Sequence, residues 1–150
     1  MYKSKYFKVE ELVSKSMFNQ RGHKAIELID ERVLMTLDSL RENLNKPITV
    51  NNWLWNGSFQ QRGLRDRGFY KSDADYVSSL SQHKYGRAVD FDVKNMSAKE
   101  VRKHIIENQH LYPHISFLEV DINWVHFDVR NNDGLVLWSP KRGFISESEL

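Results

Sequence analysis

Two stretches of two-residue alternation constrain this chain more than anything else in it: Ala88-Val89-Asp90-Phe91-Asp92-Val93 and Asn123-Trp124-Val125-His126-Phe127-Asp128-Val129-Arg130. Successive side chains of a strand point to opposite faces, so Val89, Phe91 and Val93 share one face while Asp90 and Asp92 share the other. In the second stretch Val125, Phe127 and Val129 belong to the core face, and Trp124, His126 and Asp128 stand opposite them. Each apolar face must be covered, and each polar face must look into a cleft or at solvent.

The covering layer reads as helical. From Lys24 to Asn45, apolar residues at Ile26, Ile29, Val33, Leu34, Leu37, Leu40 and Leu44 recur mostly at three- and four-residue intervals, the pattern of one amphipathic helix. Pro47 marks its end, because the residue before a proline is pushed out of the helical region. Ser97 to Asn108 opens with a capping box, Glu100 three residues after Ser97, and continues with Val101, Ile105 and Ile106 as an apolar face.

The remaining elements are shorter. Ile48 to Trp53 has the β-branched and aromatic content of a strand, and a long loop from Leu54 to about Leu80 follows, of a length that is usually functional in so small a domain. Ser116–Val120 and Asn123–Val129 read as two strands joined at Asp121-Ile122, with Leu135–Trp138 as a further one. The expected fold is α+β, a small antiparallel sheet with helices packed on one side. It forms a single domain over 1–150, with an N-terminal helical segment 1–45 and a core of about 46–138. No repeat, low-complexity tract or linker argues for a second domain.

Composition narrows the chemistry. The absence of cysteine excludes disulfides, thiolate metal sites and cysteine nucleophiles, so any metal is held by His, Asp or Glu. A net charge of +2, with basic residues scattered along the chain, gives no indication of nucleic-acid binding. No apolar run approaches the ~20 residues of a membrane span. The expectation is a soluble monomer without an export signal.

Ser81-Gln82-His83-Lys84-Tyr85-Gly86-Arg87-Ala88-Val89-Asp90 places a histidine seven residues ahead of an aspartate, with a glycine between them that permits a tight turn. A loop histidine and a strand aspartate are commonplace by themselves. They can nonetheless converge on one ion, with His126 as the natural third ligand, and three protein ligands leave a fourth tetrahedral position open, the arrangement of a catalytic zinc site.

Ser-x-His-x-x-Gly-x-Ala-x-Asp followed by Trp-x-His resembles the zinc D-Ala-D-Ala carboxypeptidase family, which also contains phage endolysins cutting the L-Ala-D-Glu bond and shares its fold with the Hedgehog signalling domain. The resemblance covers roughly residues 46 to 130. It implies Zn2+ held by His83, Asp90 and His126, and a peptidoglycan stem peptide as substrate. Arg62-Gly63-Leu64-Arg65 lies about where that family has a Gly-Tyr-Arg element, so Arg65 is the implied substrate-holding or carbonyl-polarising residue and Arg62 the reserve. A phage-type enzyme made in the cytoplasm, acting at the wall after lysis or from a particle, agrees with the missing export signal.

One departure matters: many members carry a catalytic Glu three residues before the last histidine, where this chain has Asn123. A carboxylate must still take a proton and pass it to the leaving amine. Glu119 is the favoured candidate, because pairing of 116–120 with 123–129 sets it across from the His126 region, and Asp121 is the fallback. The departure also motivates a rival reading, a zinc-containing cell-wall-binding module without catalysis; a phage structural protein retaining the fold is a third.

Asp92 and Asp128 are read either as partners of the ligand imidazoles or as ordinary strand acids, on a solvated strand face or paired with Arg130 or Arg87. His23, His104, His110 and His114 lack ligand spacing. Trp53, Trp55, Phe59, Phe69 and Tyr70 either pack around the loop base or line a groove.

Overall fold

The computed structural model describes residues 1–150. Four α-helices, α1 (Lys15–Arg21), α2 (Glu31–Leu44), α3 (Asp73–Ser78) and α4 (Ala98–Glu107), accompany six strands. The strands are β1 (Ile48–Thr49), β2 (Ala88–Val93), β3 (Phe117–Glu119), β4 (Val125–Asp128), β5 (Val136–Ser139) and β6 (Gly143–Ile145), in the sheet order β1-β2-β4-β3-β5-β6. The fold is α+β, as expected.

The expected purely antiparallel sheet needs one correction. Four of the five pairings are antiparallel, but β3 and β5 run parallel, so the sheet is mixed. The chain reaches β5 from the far end of β4 through residues 129–135, a crossing that returns it in the direction of β3. β6, not anticipated, forms the outer edge through a hairpin with β5.

Alternation in β2 and β4 does what the side-chain pattern requires. Val89, Phe91, Val125 and Phe127 are at most 1% exposed, and the Phe91 and Phe127 rings meet edge to face, 6.0 Å apart, at the centre of the core. Val33, Leu34, Leu37 and Leu40 of α2 and Val101 and Ile105 of α4 complete the same apolar cluster. The capping box at Ser97 is present, with Ser97 accepting from the Glu100 amide and the Glu100 carboxylate from the Ser97 amide.

The single helix expected over Lys24 to Asn45 is divided. α2 begins at Glu31, and Gly22–Leu28 forms a 3-10 helix before it. Asp30 causes the division: its carboxylate caps α2 by accepting from the Arg32 amide, while its own amide donates to the Gly86 carbonyl outside the helix.

The strand expected over Ile48 to Trp53 stops at Thr49. Asn51 diverts the chain, since its amide donates to Glu11 O and its side chain to Val13 O, docking the N-terminal segment where a strand would continue. The 54–80 segment is not structureless either: it holds α3, capped by Ser72, and a 3-10 turn at Arg67–Phe69. The β3–β4 connection is longer than a two-residue turn, with Asp121 in the left-handed region (φ 60°). From α4, the Arg102 guanidinium ties that connection down by donating to the carbonyls of Ile122 and Trp124.

Candidate metal centre

Register places the polar residues in one row. Asp90 pairs with His126, His126 with Glu119, Glu119 with Trp138, and Trp138 with Phe144, so these five side chains share one face of the sheet from β2 to β6. His83 joins them from a 3-10 turn, Gln82–Tyr85, immediately before β2.

That turn is held from two sides. Gly86 ends it at φ +68°, and a Cβ there would lie 1.8 Å from the Leu28 carbonyl oxygen. Only glycine combines the left-handed backbone with this approach. On the other side, the segment 62–65 runs beside β2: the Asp90 amide donates to Arg62 O, the Arg65 amide to His83 O, and the Leu64 amide to Leu12 O. Gly63 sits against the Leu12 backbone with no room for a side chain, and its carbonyl faces His83.

His83, Asp90 and His126 are all buried, and His83 Nε2, Asp90 Oδ1 and His126 Nδ1 converge. Nε2 of His83 lies 3.3 Å from both of the others, and His126 Nδ1 lies 2.7 Å from Asp90 Oδ1. The outward nitrogens fix the tautomers. His83 Nδ1 is 2.8 Å from the Gly63 carbonyl, which can only accept, so Nδ1 carries the hydrogen and Nε2 the lone pair. His126 Nε2 donates to Asp128 Oδ2 at 3.1 Å, which frees Nδ1 to coordinate.

Once His126 gives up its Nδ1 proton, three electron-pair donors point at one another. A tetrahedral site with arms of about 2.0–2.1 Å has edges of about 3.3 Å, the value found for two of the three separations. The cluster could hold a metal ion.

The charges agree. Burial lowers the pKa of His83 and keeps it neutral. Burial pushes the Asp90 carboxyl up, but hydrogen bonds with His126 and His83 outweigh it and hold Asp90 well below the usual range. Burial also opposes protonation of His126, yet the Asp128 and Asp90 carboxylates raise it to about 9. In the metal-free chain one proton therefore occupies the place between Asp90 and His126 that a cation would take.

Asp128 is fully buried, and besides His126 it accepts two bonds from the Arg130 guanidinium, at 2.7 and 2.6 Å. Asp128 does two things at once: it orients the His126 imidazole and it pairs with Arg130. Asp92 lies on the solvated strand face, exposed and paired with Arg62 at 2.9 Å.

A cavity of ≈ 360 Å³ opens over the cluster. Glu119 lines it together with Arg65, and Phe117, Trp124, Trp138 and Phe144 supply apolar wall. Burial raises the Glu119 pKa, while the charge of His126 opposes the rise. Arg65 reaches the cluster itself, donating to Asp90 Oδ2 at 3.1 Å with its guanidinium 4.2 Å over the Phe69 ring.

The other expectations fall away from the cluster. The fallback acid, Asp121, is outside the cavity: its left-handed backbone turns the carboxylate outward onto Arg142 and Ser139. Arg62, the reserve for Arg65, is spent on Asp92, and Asn123 is exposed beside that pair in a neighbouring cavity. His104 bonds Tyr112. Of the loop aromatics, Trp53 donates to Val13 O, and Phe59 and Phe69 lie beneath Arg62 and Arg65.

Sequence reasoning paired Arg130 with Asp128 but missed its place in the cavity, and it missed the aromatic wall of β3, β5 and β6. Arg130 offers a signal in its two-residue spacing from Asp128; Trp138 and Phe144 depend on the β3–β5 register, which no local pattern encodes. No protein-family model, no curated protein and no solved structure matches this chain.

Proposed function

We propose that this chain is a zinc-dependent peptidase that hydrolyses an amide bond in a peptidoglycan stem peptide. The observation that carries the reading is the convergence of two imidazole nitrogens and one carboxylate oxygen at a cavity that a half-buried acid, Glu119, also lines.

The donor set, two nitrogens and one oxygen with no sulfur, suits Zn2+. When bound, such a cation supplies Lewis acidity to the scissile carbonyl and to water. The chain's own residues supply the rest. Glu119, its affinity for a proton raised by burial, takes the proton of the attacking water and delivers it to the leaving nitrogen. Arg65, pinned through Nε to Gln61 O and through Nη2 to Asp90, has Nη1 unbonded and directs it at a carbonyl or carboxylate of the substrate. Asp128 and Gly63 fix the two imidazoles.

The test is metal analysis of purified protein with mass spectrometry of murein digests. Wild type retains about one zinc per chain and releases peptide fragments; His83→Ala loses both. Cleavage that persists in the metal-stripped protein refutes the reading. One observation favours a second reading, a zinc-containing wall-binding module without catalysis: Asn123 stands where the resembled family has its acid. Zinc-loaded protein that sediments with murein without cutting it decides for that alternative.

A further inference from the structure

We propose that Arg130 is a second anion clamp, and that the substrate is an acidic peptide carrying two carboxylates, one on each side of the bond presented to the metal centre. This rests on the peptidase reading and narrows it to stem peptides whose Glu α-carboxylate is free.

Arg130 is built as a fixed guanidinium. Its backbone amide, Nε and Nη2 all donate to the Asp128 carboxylate, and its plane lies 3.7 Å over the Phe117 ring. Phe117 in turn meets the His126 ring edge-on at 6.0 Å. Held on one edge by an acid and on one face by an aromatic ring, the group has little rotamer freedom left to lose on binding. Nη1 makes no hydrogen bond within the chain, and the residue lines the cavity over the metal centre. Arg65 is constructed the same way on the other flank: one edge on Asp90 and Gln61, one face on Phe69, and Nη1 unbonded. Two preorganised guanidiniums bracket one reactive centre.

Spacing decides what fits between them. Asp90, beneath Arg65, lies on β2; Phe117, beneath Arg130, lies on β3, two strands across and two residues along the sheet. At about 4.8 Å per strand and about 3.3 Å per residue the two anchors are about 12 Å apart. Three to four extended peptide residues cover that distance. In a stem pentapeptide the α-carboxylate of γ-linked D-Glu and the C-terminal carboxylate are thirteen bonds apart, about 15 Å when extended, so the peptide reaches both anchors with a slight bend. A peptide with a single carboxylate would leave one guanidinium facing the cavity without a partner.

The probes are the synthetic pentapeptide L-Ala-γ-D-Glu-L-Lys-D-Ala-D-Ala and its two monoamides, one at the Glu α-carboxyl and one at the C-terminus. Binding by calorimetry and, where cleavage occurs, KM and kcat are measured for wild type, Arg130→Gln and Arg130→Lys, with zinc content in parallel. In wild type each amidation is expected to weaken binding tenfold or more. Arg130→Gln should abolish the penalty for one amidation and keep the other, with partial restoration in Arg130→Lys. If wild type and Arg130→Gln discriminate the same peptides to the same degree, Arg130 only neutralises Asp128 and the proposal is overturned. Absence of binding by all three peptides overturns it too. Binding with the expected discrimination but no cleavage upholds the clamp and sinks the peptidase reading, so the two failures are separable.

Discussion

In the proposed metal centre, metal and proton compete for His126 Nδ1, and the competition has a measurable slope. In the metal-free chain the Asp90 and Asp128 carboxylates raise His126 to about 9, against the burial that opposes its charge, whereas burial keeps His83 neutral. A cation must expel the His126 proton. Its apparent affinity should therefore rise about tenfold per pH unit below pH 9, or about 500-fold from pH 6 to 9, close to 4 kcal/mol. Calorimetric zinc titrations at pH 6, 7, 8 and 9 against a calibrated chelator measure the slope. Repeating the pH 7 titration in buffers of different ionisation enthalpy counts the released protons, and the expected number is close to one. The same linkage acts on folding. A histidine raised from about 6.5 to about 9 contributes about 3 kcal/mol that is complete below pH 6.5 and lost as pH climbs through 9, so the melting temperature of the metal-free protein should fall over that window. An affinity that is flat from pH 6 to 8, with no proton released, would show that His126 is not a ligand through Nδ1.

Three further outcomes follow from the site. On the proposed mechanism Glu119→Gln removes the proton carrier and leaves the three metal-facing residues intact, so kcat on the murein peptide should drop 10²- to 10⁴-fold while zinc content stays at the wild-type level; a loss of zinc would reassign Glu119 to the metal. Asp128→Asn replaces the charged acceptor of His126 Nε2 by a neutral amide and should weaken zinc binding about 10- to 100-fold in chelator competition, whereas unchanged affinity would make Asp128 a partner of Arg130 alone. Gly86→Ala forces a side chain into the Leu28 carbonyl at a left-handed position and should cost at least about 2 kcal/mol in denaturant unfolding, with His83 displaced from the cluster; wild-type stability would contradict the approach described here.

What the sequence disclosed, and what it withheld, divides along the range of the forces involved. The faces of β2 and β4 were legible because alternation is a local property: Asp90 and His126 can only lie opposite Val89 and Phe127, whatever the rest of the chain does. The α4 capping box was legible for the same reason, three residues sufficing to close it. The break before α2 was not, because Asp30 gives its amide to Gly86, 56 residues away, and an apolar periodicity cannot register a hydrogen bond that leaves the helix. Nor was the early end of β1, decided by Asn51 docking on Glu11 and Val13.

The candidate site shows the same division at finer grain. Its three donors were readable from residue type and spacing. Their tautomers rest instead on the Gly63 carbonyl and the Asp128 carboxylate, the first contributed by a loop whose path no pattern specifies. Glu119 and Asp121, two residues apart on one connection, looked interchangeable in sequence; strand register sends the first toward His126, and a positive φ sends the second to Arg142. Donor identity is thus encoded locally, whereas donor orientation is a product of the assembled sheet and the segment lying against it. Substitutions at Gly63, Gly86 or Asp128, none of which supplies a metal-facing atom, are for that reason expected to disturb the centre as surely as changes to the ligands themselves.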